Sequence, residues 1–461
     1  MPLEVFINFI ELDEKGAAGY EETIIEALNE DGLNFLDCRA QMYDNAAVMS
    51  GHISGVQTRL RDRNAKAKFL NCDNHSLNLA GVHAASVDPT IITFFGTVQQ
   101  VYVFFSGSTG RWKKMAEKLT CTVKNESDTR WSAREGAVRV IGTHFSELIE
   151  LLQSLNEDET ESADTRGKAG NLVTSLLTFD FVCFLSFWAQ VLPKINIIQK
   201  RLQSPKMNLQ EAAADLGSLR QNLTEEREEI CERSLQKGLE IAQQWDIATE
   251  RRVRRRRRMP GEDARDAGLT MEEELNRVIK LAIDTLAQEI DDRSKRLWEL
   301  NSCFGFLLDI NSLLSSDREP EDLFHQCADF GLEYEGDVNG TSLYDEILDC
   351  RMLFKRRQQS ALLLPSSAEE LLKATIQYGK DVFPNLRTAL QILLTISVSV
   401  ASCERSFSKL KLIKTHLRST MTQERLTDLA ILSIEKTTFE LISFDDIIDQ
   451  FAERKARKIN M

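Results

Sequence analysis

The sequence predicts an α/β fold that is split by a large all-helical insertion. Short apolar runs alternate with helical spacing in the N-terminal part, which is typical of strands and helices in turn. From Ile91 to about Tyr378 the apolar spacing is almost continuously helical. Beyond Phe383 an apolar stretch leads through a Cys-Glu-Arg-Ser-Phe-Ser turn into a long amphipathic helix. We therefore predict three domains: residues 1–150 as the first part of the sheet domain, 151–375 as the helical insertion, and 376–461 as the C-terminal part that completes the sheet domain.

The N-terminal part alternates between predicted strands and predicted helices. Residues 3–12 alternate loosely between apolar and polar side chains, which is compatible with a strand. A later strand should deliver Asp44 to its end. The predicted elements are strand 3–12, helix 19–29, strand 35–44, helix 46–63, strand 69–72 and helix 75–85.

Breaks in the helical part are predicted from composition. Residues 156–168 are polar, acid-rich and without periodicity, so we expect a loop. Residues 224–234 are expected to form a solvated, charged helix face. Leu364-Pro365 should interrupt the helices, with Ser367 as the N-cap of the next one.

Composition limits the classes of function. The 461 residues carry a net charge of −14, which argues against a surface coated with phosphate-binding side chains, so any DNA contact must be local. Nine cysteines without C-x-x-C pairs fit a reducing compartment. The N-terminus lacks the pattern of a signal peptide. The most apolar stretch, 171–192, carries Asp180 in its middle, so we predict a buried core helix and no membrane span. Nothing in the pattern indicates a small-molecule substrate.

Four segments together resemble one known family. They are Tyr43-Asp44-Asn45, Cys72-Asp73-Asn74-His75, Thr129-Arg130-Trp131 and the stretch 383–435. In this order they resemble the hAT transposases, whose C-terminal region mediates dimerisation. The N-terminal part looks like the corresponding domain of vertebrate MYM-type zinc finger proteins, here without the zinc finger. The resemblance implies a ribonuclease H-like fold, incomplete at its N-terminus and split by a helical domain.

The same resemblance identifies Asp44 and Glu404 as the second and third carboxylates of a DDE site. Such sites hold two divalent cations, for which the hard oxygen ligands of carboxylates suit Mg²⁺. The first aspartate has no counterpart, and Glu11 or Asp13 is a poor substitute. We therefore predict that the site is vestigial and that the chain is neither an enzyme nor bound to a cofactor. Mg²⁺ would be a cofactor only if this chain is part of a longer, active protein. Asp44 could also simply cap the following helix through an Asx turn.

Two residue pairs near this site are open to more than one interpretation. Cys72 and His75 could suggest zinc, but no second pair lies at a suitable spacing, so a partly buried, hydrogen-bonded histidine is favoured. Arg130 and Trp131 resemble the family's Arg-Trp pair, whose indole stacks on a displaced DNA base. The alternative is an aromatic core anchor with Arg130 paired to an acid.

Basic residues are concentrated in one run. Seven of the eight residues in 251–258 are arginines. The run is interpreted as a nuclear import signal, a phosphate-binding patch or a solvated helix end. The first interpretation predicts a nuclear protein. The run ends with five consecutive arginines, which are the predicted import residues: Arg254, Arg255, Arg256, Arg257 and Arg258.

An apolar stripe follows Glu404 at helical spacing. It could be ordinary core, but in hAT relatives the same segment lies between protomers, so we predict a homodimer or homo-oligomer. The predicted dimerisation residues are Phe407, Leu410, Ile413, Leu417, Leu426 and Leu429.

The sequence thus favours a transposase-derived, catalytically inactive protein that acts through dimerisation. One alternative is a fragment of an active hAT transposase or nuclease whose first aspartate and zinc finger lie outside this sequence. Another is a DNA-binding transcriptional repressor that uses its arginine run.

Overall fold

The structure is a computed structural model, and helices dominate it. It describes residues 4–125, 131–204, 207–250, 269–315, 319–359, 364–379, 381–415, 418 and 420–453. Within these ranges the sheet has two strands, which pair in parallel with Tyr43 opposite Asn71.

The N-terminal part places these two strands among short helices. A 3-10 turn at Phe35–Asp37 precedes the first strand. The elements are α1 (Ala17–Glu30), β1 (Ala40–Tyr43), α2 (Ala47–Ser50), α3 (Val56–Arg63), β2 (Lys68–Asn71), α4 (Asp73–Ala85), α5 (Pro89–Ser106) and α6 (Thr109–Leu119).

A long helical series follows. Its longest member begins at a capping box, in which the Thr270 side chain accepts from the Glu273 N–H and the Glu273 carboxylate accepts from the Thr270 N–H. The helices are α7 (Trp131–Thr143), α8 (Phe145–Glu157), α9 (Ala163–Leu176), α10 (Phe179–Leu202), α11 (Leu209–Glu225), α12 (Arg227–Gln244), α13 (Met271–Leu308), α14 (Ile310–Leu314), α15 (Pro320–Glu333) and α16 (Gly340–Gln359).

Shorter helices form the described C-terminal part. As predicted, Ser367 caps the first of them by accepting from the Glu370 N–H. They are α17 (Ala368–Gln377), α18 (Pro384–Thr395), α19 (Ala401–Ile413), α20 (Gln423–Ile434), α21 (Lys436–Phe439) and α22 (Asp445–Glu453).

One large apolar core connects the strands with the helical series. It extends from Leu70 on β2 to Val398 before α19, and we call it the main core. Helix α10 lies within it, with Phe184 and Trp188 fully buried. This helix is long and apolar enough to cross a membrane, yet 61% of its most apolar stretch is buried inside the protein. It is therefore a core helix in this structure, but the predicted single helix over 171–192 is divided between the end of α9 at Leu176 and the start of α10 at Phe179.

The predicted split ribonuclease H-like sheet is not confirmed. Residues 4–12 form no strand, and no strand occurs between 376 and 453 in the described part of the C-terminal region. The first strand is also shorter than predicted, because residues 35–37 form the 3-10 turn. What remains is a small parallel sheet in a mostly helical protein.

The predicted loop at 156–168 is wrong in its extent. Helix α8 continues to Glu157, and α9 begins at Ala163. The Ser162 side chain accepts from the Thr165 N–H, so this serine starts the helix inside the polar stretch. Likewise, the charged stretch 224–234 contains the end of α11 and the start of α12.

Candidate functional site

The carboxyl ends of the two strands meet the start of α19. Asp44 directly follows β1, and Cys72 directly follows β2. The Cys72 N–H donates to the Tyr43 carbonyl oxygen at 2.9 Å. From the C-terminal part, the Val400 N–H donates to Cys72 Sγ at 3.4 Å, and the Asp73 N–H donates to the Val398 carbonyl oxygen at 3.2 Å. Chain segments that are more than three hundred residues apart are thus held together at this end of the sheet.

Asp44 and Glu404 both belong to this region but differ in their surroundings. Asp44 is exposed, and its Oδ1 accepts from the Ala46 N–H at 3.1 Å, which is the Asx turn considered as the alternative for this residue. Glu404 lies half-buried in the first turn of α19. In the described ranges, no three His, Cys, Asp or Glu side chains gather closely enough to hold a metal ion. The described residues therefore do not fit a two-metal centre.

Burial disfavours the charged forms of Cys72 and Asp73. Burial raises the pKa of the Cys72 thiol to about 11, and the nearby carboxylates of Asp73 and Glu404 add to this effect. Burial also raises the pKa of the Asp73 carboxyl well above its usual value. His75 is half-buried on α4, and its predicted hydrogen bonding stays a prediction.

Trp131 lies in the main core. Its indole is 1% exposed, and its Nε1–H donates to the Asn78 carbonyl oxygen at 2.8 Å. The Trp131 N–H donates to Asn78 Oδ1 at 3.2 Å. The ring packs tilted against Trp188 at a centroid distance of 5.6 Å, and the guanidinium of Arg134 lies 4.8 Å from its centre. Trp131 is therefore an aromatic core residue in this structure, and stacking on a DNA base would require the indole to leave this position. The predicted pairing of Arg130 with an acid falls outside the described residues and stays a prediction.

Some predicted residues lie outside the described ranges. These are Arg130 of the Arg-Trp pair, Leu417 of the dimerisation stripe, and the arginine run with Arg254, Arg255, Arg256, Arg257 and Arg258.

A second, smaller apolar cluster lies at the C-terminal helices, and we call it the C-terminal cluster. Its buried members come from α19, α20 and the N-terminal segment, and it is separate from the main core. The buried residues are Phe9, Ile413, Leu426 and Ala430, and the partly buried ones are Phe6, Leu410, Met421, Leu429 and Ile434.

The N-terminal segment 4–11 docks on α20 through side chains rather than through a strand partner. The Phe6 N–H donates to Glu435 Oε1 at 2.7 Å. The Gln423 side-chain amide donates to the Phe9 carbonyl oxygen, and Thr427 Oγ1 donates to Asn8 Oδ1 at 2.6 Å. The Phe6 N–H and the Phe9 carbonyl oxygen are thus bonded by side chains and not by a neighbouring strand, so the loose alternation of the segment does not produce a strand.

The predicted dimerisation residues divide into buried and exposed groups. Ile413 and Leu426 are buried in the C-terminal cluster, whereas Leu410 and Leu429 are half-buried at its edge. Phe407 remains 63% exposed although its ring packs 5.5 Å from that of Phe9. Other apolar side chains in the described C-terminal part are also exposed, namely Leu412, Leu432, Leu441, Ile442, Phe444, Ile447, Ile448 and Phe451.

Sequence reasoning missed two contributors. The N-terminal segment supplies Phe6 and Phe9 to the C-terminal cluster, which no local pattern indicates. Asp73 is 2% exposed, and its Oδ2 has no hydrogen-bond partner among the described residues. An aspartate in the first turn of a helix normally interacts with the helix dipole at the surface, so no signal in the sequence indicates its burial.

Comparison with known proteins identifies the C-terminal part of the chain. Residues 368–438 match the hAT family C-terminal dimerisation region, so the chain carries the region that its sequence resembled. The chain is also 24% identical over 452 residues to the human protein called 52 kDa repressor of the inhibitor of the protein kinase. The mouse protein of the same name is 23% identical over 454 residues. These alignments cover 94% of this chain in both cases, but 57% of the human protein and 58% of the mouse protein. The chain thus spans less than two thirds of either relative.

Proposed function

We propose that this chain is a transposase-derived protein that acts by self-association through its C-terminal hAT region and not by catalysis. The observation that carries the proposal is the C-terminal cluster, a small core built mainly by the matched region 368–438, together with the exposed apolar side chains of that region and of the residues that follow it. Exposed apolar groups of this kind mark interaction surfaces, because burying them on association is favourable.

A charge on this surface should break the association. Leu412 on α19 is 71% exposed, so Leu412→Asp places a carboxylate in the interface without disturbing the single chain. We expect the dimer dissociation constant to rise at least about tenfold in sedimentation equilibrium. Leu332→Asp is the matched control, because Leu332 on α15 is 76% exposed and lies outside the hAT region. Equal effects of the two substitutions, or none from Leu412→Asp, would contradict this interface.

The main alternative is a fragment of an active transposase or nuclease. Against it stands the exposed Asp44, whose carboxylate accepts from the Ala46 N–H as an Asx cap. We expect the chain to leave supercoiled DNA intact in Mg²⁺, with no more nicking than the double variant Asp44→Asn/Glu404→Gln. Cleavage that the double variant abolishes would establish catalysis and overturn the non-enzymatic proposal.

A role in the nucleus, including repression through local DNA contact, is the second candidate. It is supported by the names of the human and mouse relatives and by the run ending in Arg254 to Arg258. Replacing these five arginines by glutamates should abolish nuclear accumulation of a fluorescent fusion of the chain. Unchanged nuclear localisation would remove the import role of the run.

A further inference from the structure

A groove lies beside the C-terminal cluster. Its walls are the N-terminal segment 4–11 and residues of α19 and α20, and its volume is about 740 Å³. The floor is apolar, with Phe9, Leu410 and Leu426 among the lining residues. Helix α22 of the same chain contributes nothing to this lining.

Helix α22 and the residue before it carry an apolar stripe that the single chain leaves exposed. Phe444, Ile447, Ile448 and Phe451 follow the spacing i, i+3, i+4, i+7, which places them on one side of the helix. They are 43%, 55%, 44% and 51% exposed. Such a stripe on a nine-residue helix is stable only when something covers it, because short isolated helices are marginal in water.

The charges of α22 and of the α19 wall of the groove are complementary. The polar side of α22 is acidic, with Asp445, Asp446, Asp449 and Glu453. The α19 side of the groove presents Arg405, Lys409 and Lys414. The opposite wall also has acids, Glu4 and Glu11, while the carboxylate of Glu435 already accepts from the Phe6 N–H. An acidic amphipathic helix would therefore enter the groove with its acids towards α19.

We propose that α22 of a second copy of this chain occupies the groove, and that α22 of the first copy occupies the groove of the second. About half of the groove lining comes from α19 and α20 of the matched dimerisation region 368–438 and most of the rest from the N-terminal segment, whereas α22 lies beyond the matched region. Exchange of one helix in each direction is the self-complementary contact expected of a twofold dimer. The inference rests on the proposed function, since it names how the self-association is completed.

Disulfide trapping between two differently tagged chains tests this exchange. Cys403 is exposed and lines the groove, so one chain keeps it and is otherwise unchanged. The other chain carries Cys403→Ser together with Ile448→Cys on the apolar side of α22. Under mild oxidation we expect a disulfide that joins the two tags. Glu453→Cys, on the opposite side of the helix, replaces Ile448→Cys as the matched control and should cross-link at least about tenfold less.

The outcomes separate this inference from the proposed function. A dimer by sedimentation without a cross-link between the tags would overturn the exchange and leave self-association in place. A third protein keeps Cys403 and carries Ile448→Cys in the same chain. If a disulfide forms only within this single chain and never between chains, the exchange is overturned, since α22 then binds the groove of its own chain. A wild-type monomer would overturn both proposals.

A substitution on α22 provides a second measurement. Ile448→Asp should weaken the dimer at least about tenfold, because it puts a charge on the apolar stripe. Gln450→Asp adds the same charge away from the stripe and should change the dissociation constant less than about threefold. Both side chains are exposed in the single chain, so neither change disturbs its folding. Unaltered association of Ile448→Asp would contradict the exchange.

Discussion

Trp131 shows most clearly how one side chain is fixed by several neighbours. Its indole donates to Asn78, packs against Trp188 and receives the guanidinium of Arg134 over its ring. Asn78 belongs to α4, which begins directly after Cys72, so this tryptophan connects the helical series to the end of the sheet. An aromatic ring that is both hydrogen-bonded and closely packed contributes more than its buried area alone.

Gly81 is the residue that makes room for this indole. A Cβ at Gly81 would lie 2.4 Å from Trp131 Cε2, closer than two carbon atoms can approach. Gly81→Ala should therefore lower the free energy of unfolding by about 1–3 kcal/mol, as overpacked cores do. Urea denaturation measures the change.

Gly96→Ala is the matched control for that prediction. Gly96 also lies inside a helix, α5, but a Cβ there meets nothing within 4 Å. The alanine should raise the free energy of unfolding by about 0.5–1 kcal/mol. If Gly81→Ala raised the free energy of unfolding as much as Gly96→Ala does, Trp131 would not pack closely against Gly81.

At this scale the sequence predicted local capping well and burial poorly. The Asx turn of Asp44 and the cap of Ser367 depend on residues two or three positions away, so they could be predicted from the sequence. The buried positions of Trp131 and Asp73 depend on neighbours such as Trp188 and Val398, which are distant in the chain. Sequence spacing alone does not contain that information.

The helices and strands differ in how far their formation follows from the local sequence. Apolar helical spacing correctly indicated a helix at α10, although its bounds differ from those predicted. The turn predicted at 403–408 instead lies inside α19, and the long helix predicted after it forms as two shorter helices, α19 and α20. The N-terminal segment 4–11 did not form a strand, because Glu435 and Gln423 bind its backbone in place of a neighbouring strand. A tertiary contact has overridden a weak local preference.

Phe9 should hold this segment in place. It is 9% exposed within the C-terminal cluster, which is separate from the main core. Phe9→Ala should speed hydrogen exchange of the backbone amides in residues 4–11 and leave those of β2 unchanged, because the loss is local.

Ile10→Ala is the control for the segment. Ile10 is 46% exposed, so its truncation removes little packing and should leave exchange in residues 4–11 unchanged. Faster exchange of β2 in the Phe9→Ala protein would mean that the two clusters unfold together, contrary to their separation in the structure.

The whole molecule combines a large core with a small peripheral one. The main core joins the strands to the helical series, whereas the C-terminal cluster is built from helices at one end of the chain and a segment from the other. A small core of this kind buries little apolar surface by itself. A second copy would cover the exposed side chains around it, and the hAT region would then connect two molecules.

The family resemblance was the strongest sequence prediction at this scale. The stretch 383–435 indicated the hAT dimerisation region, and the match at 368–438 confirms it. The overall sheet could not be predicted in the same way, since strand pairing depends on contacts between distant segments. The two observed strands lie close together in the chain, because only α2 and α3 separate them.

The mass of the wild-type chain in solution tests the central claim most directly. Sedimentation equilibrium at micromolar concentrations should give about twice the 52.4 kDa of the single chain, since an extensive apolar interface holds obligate dimers together in this range. A mass of 52.4 kDa at every concentration would contradict self-association through the C-terminal hAT region.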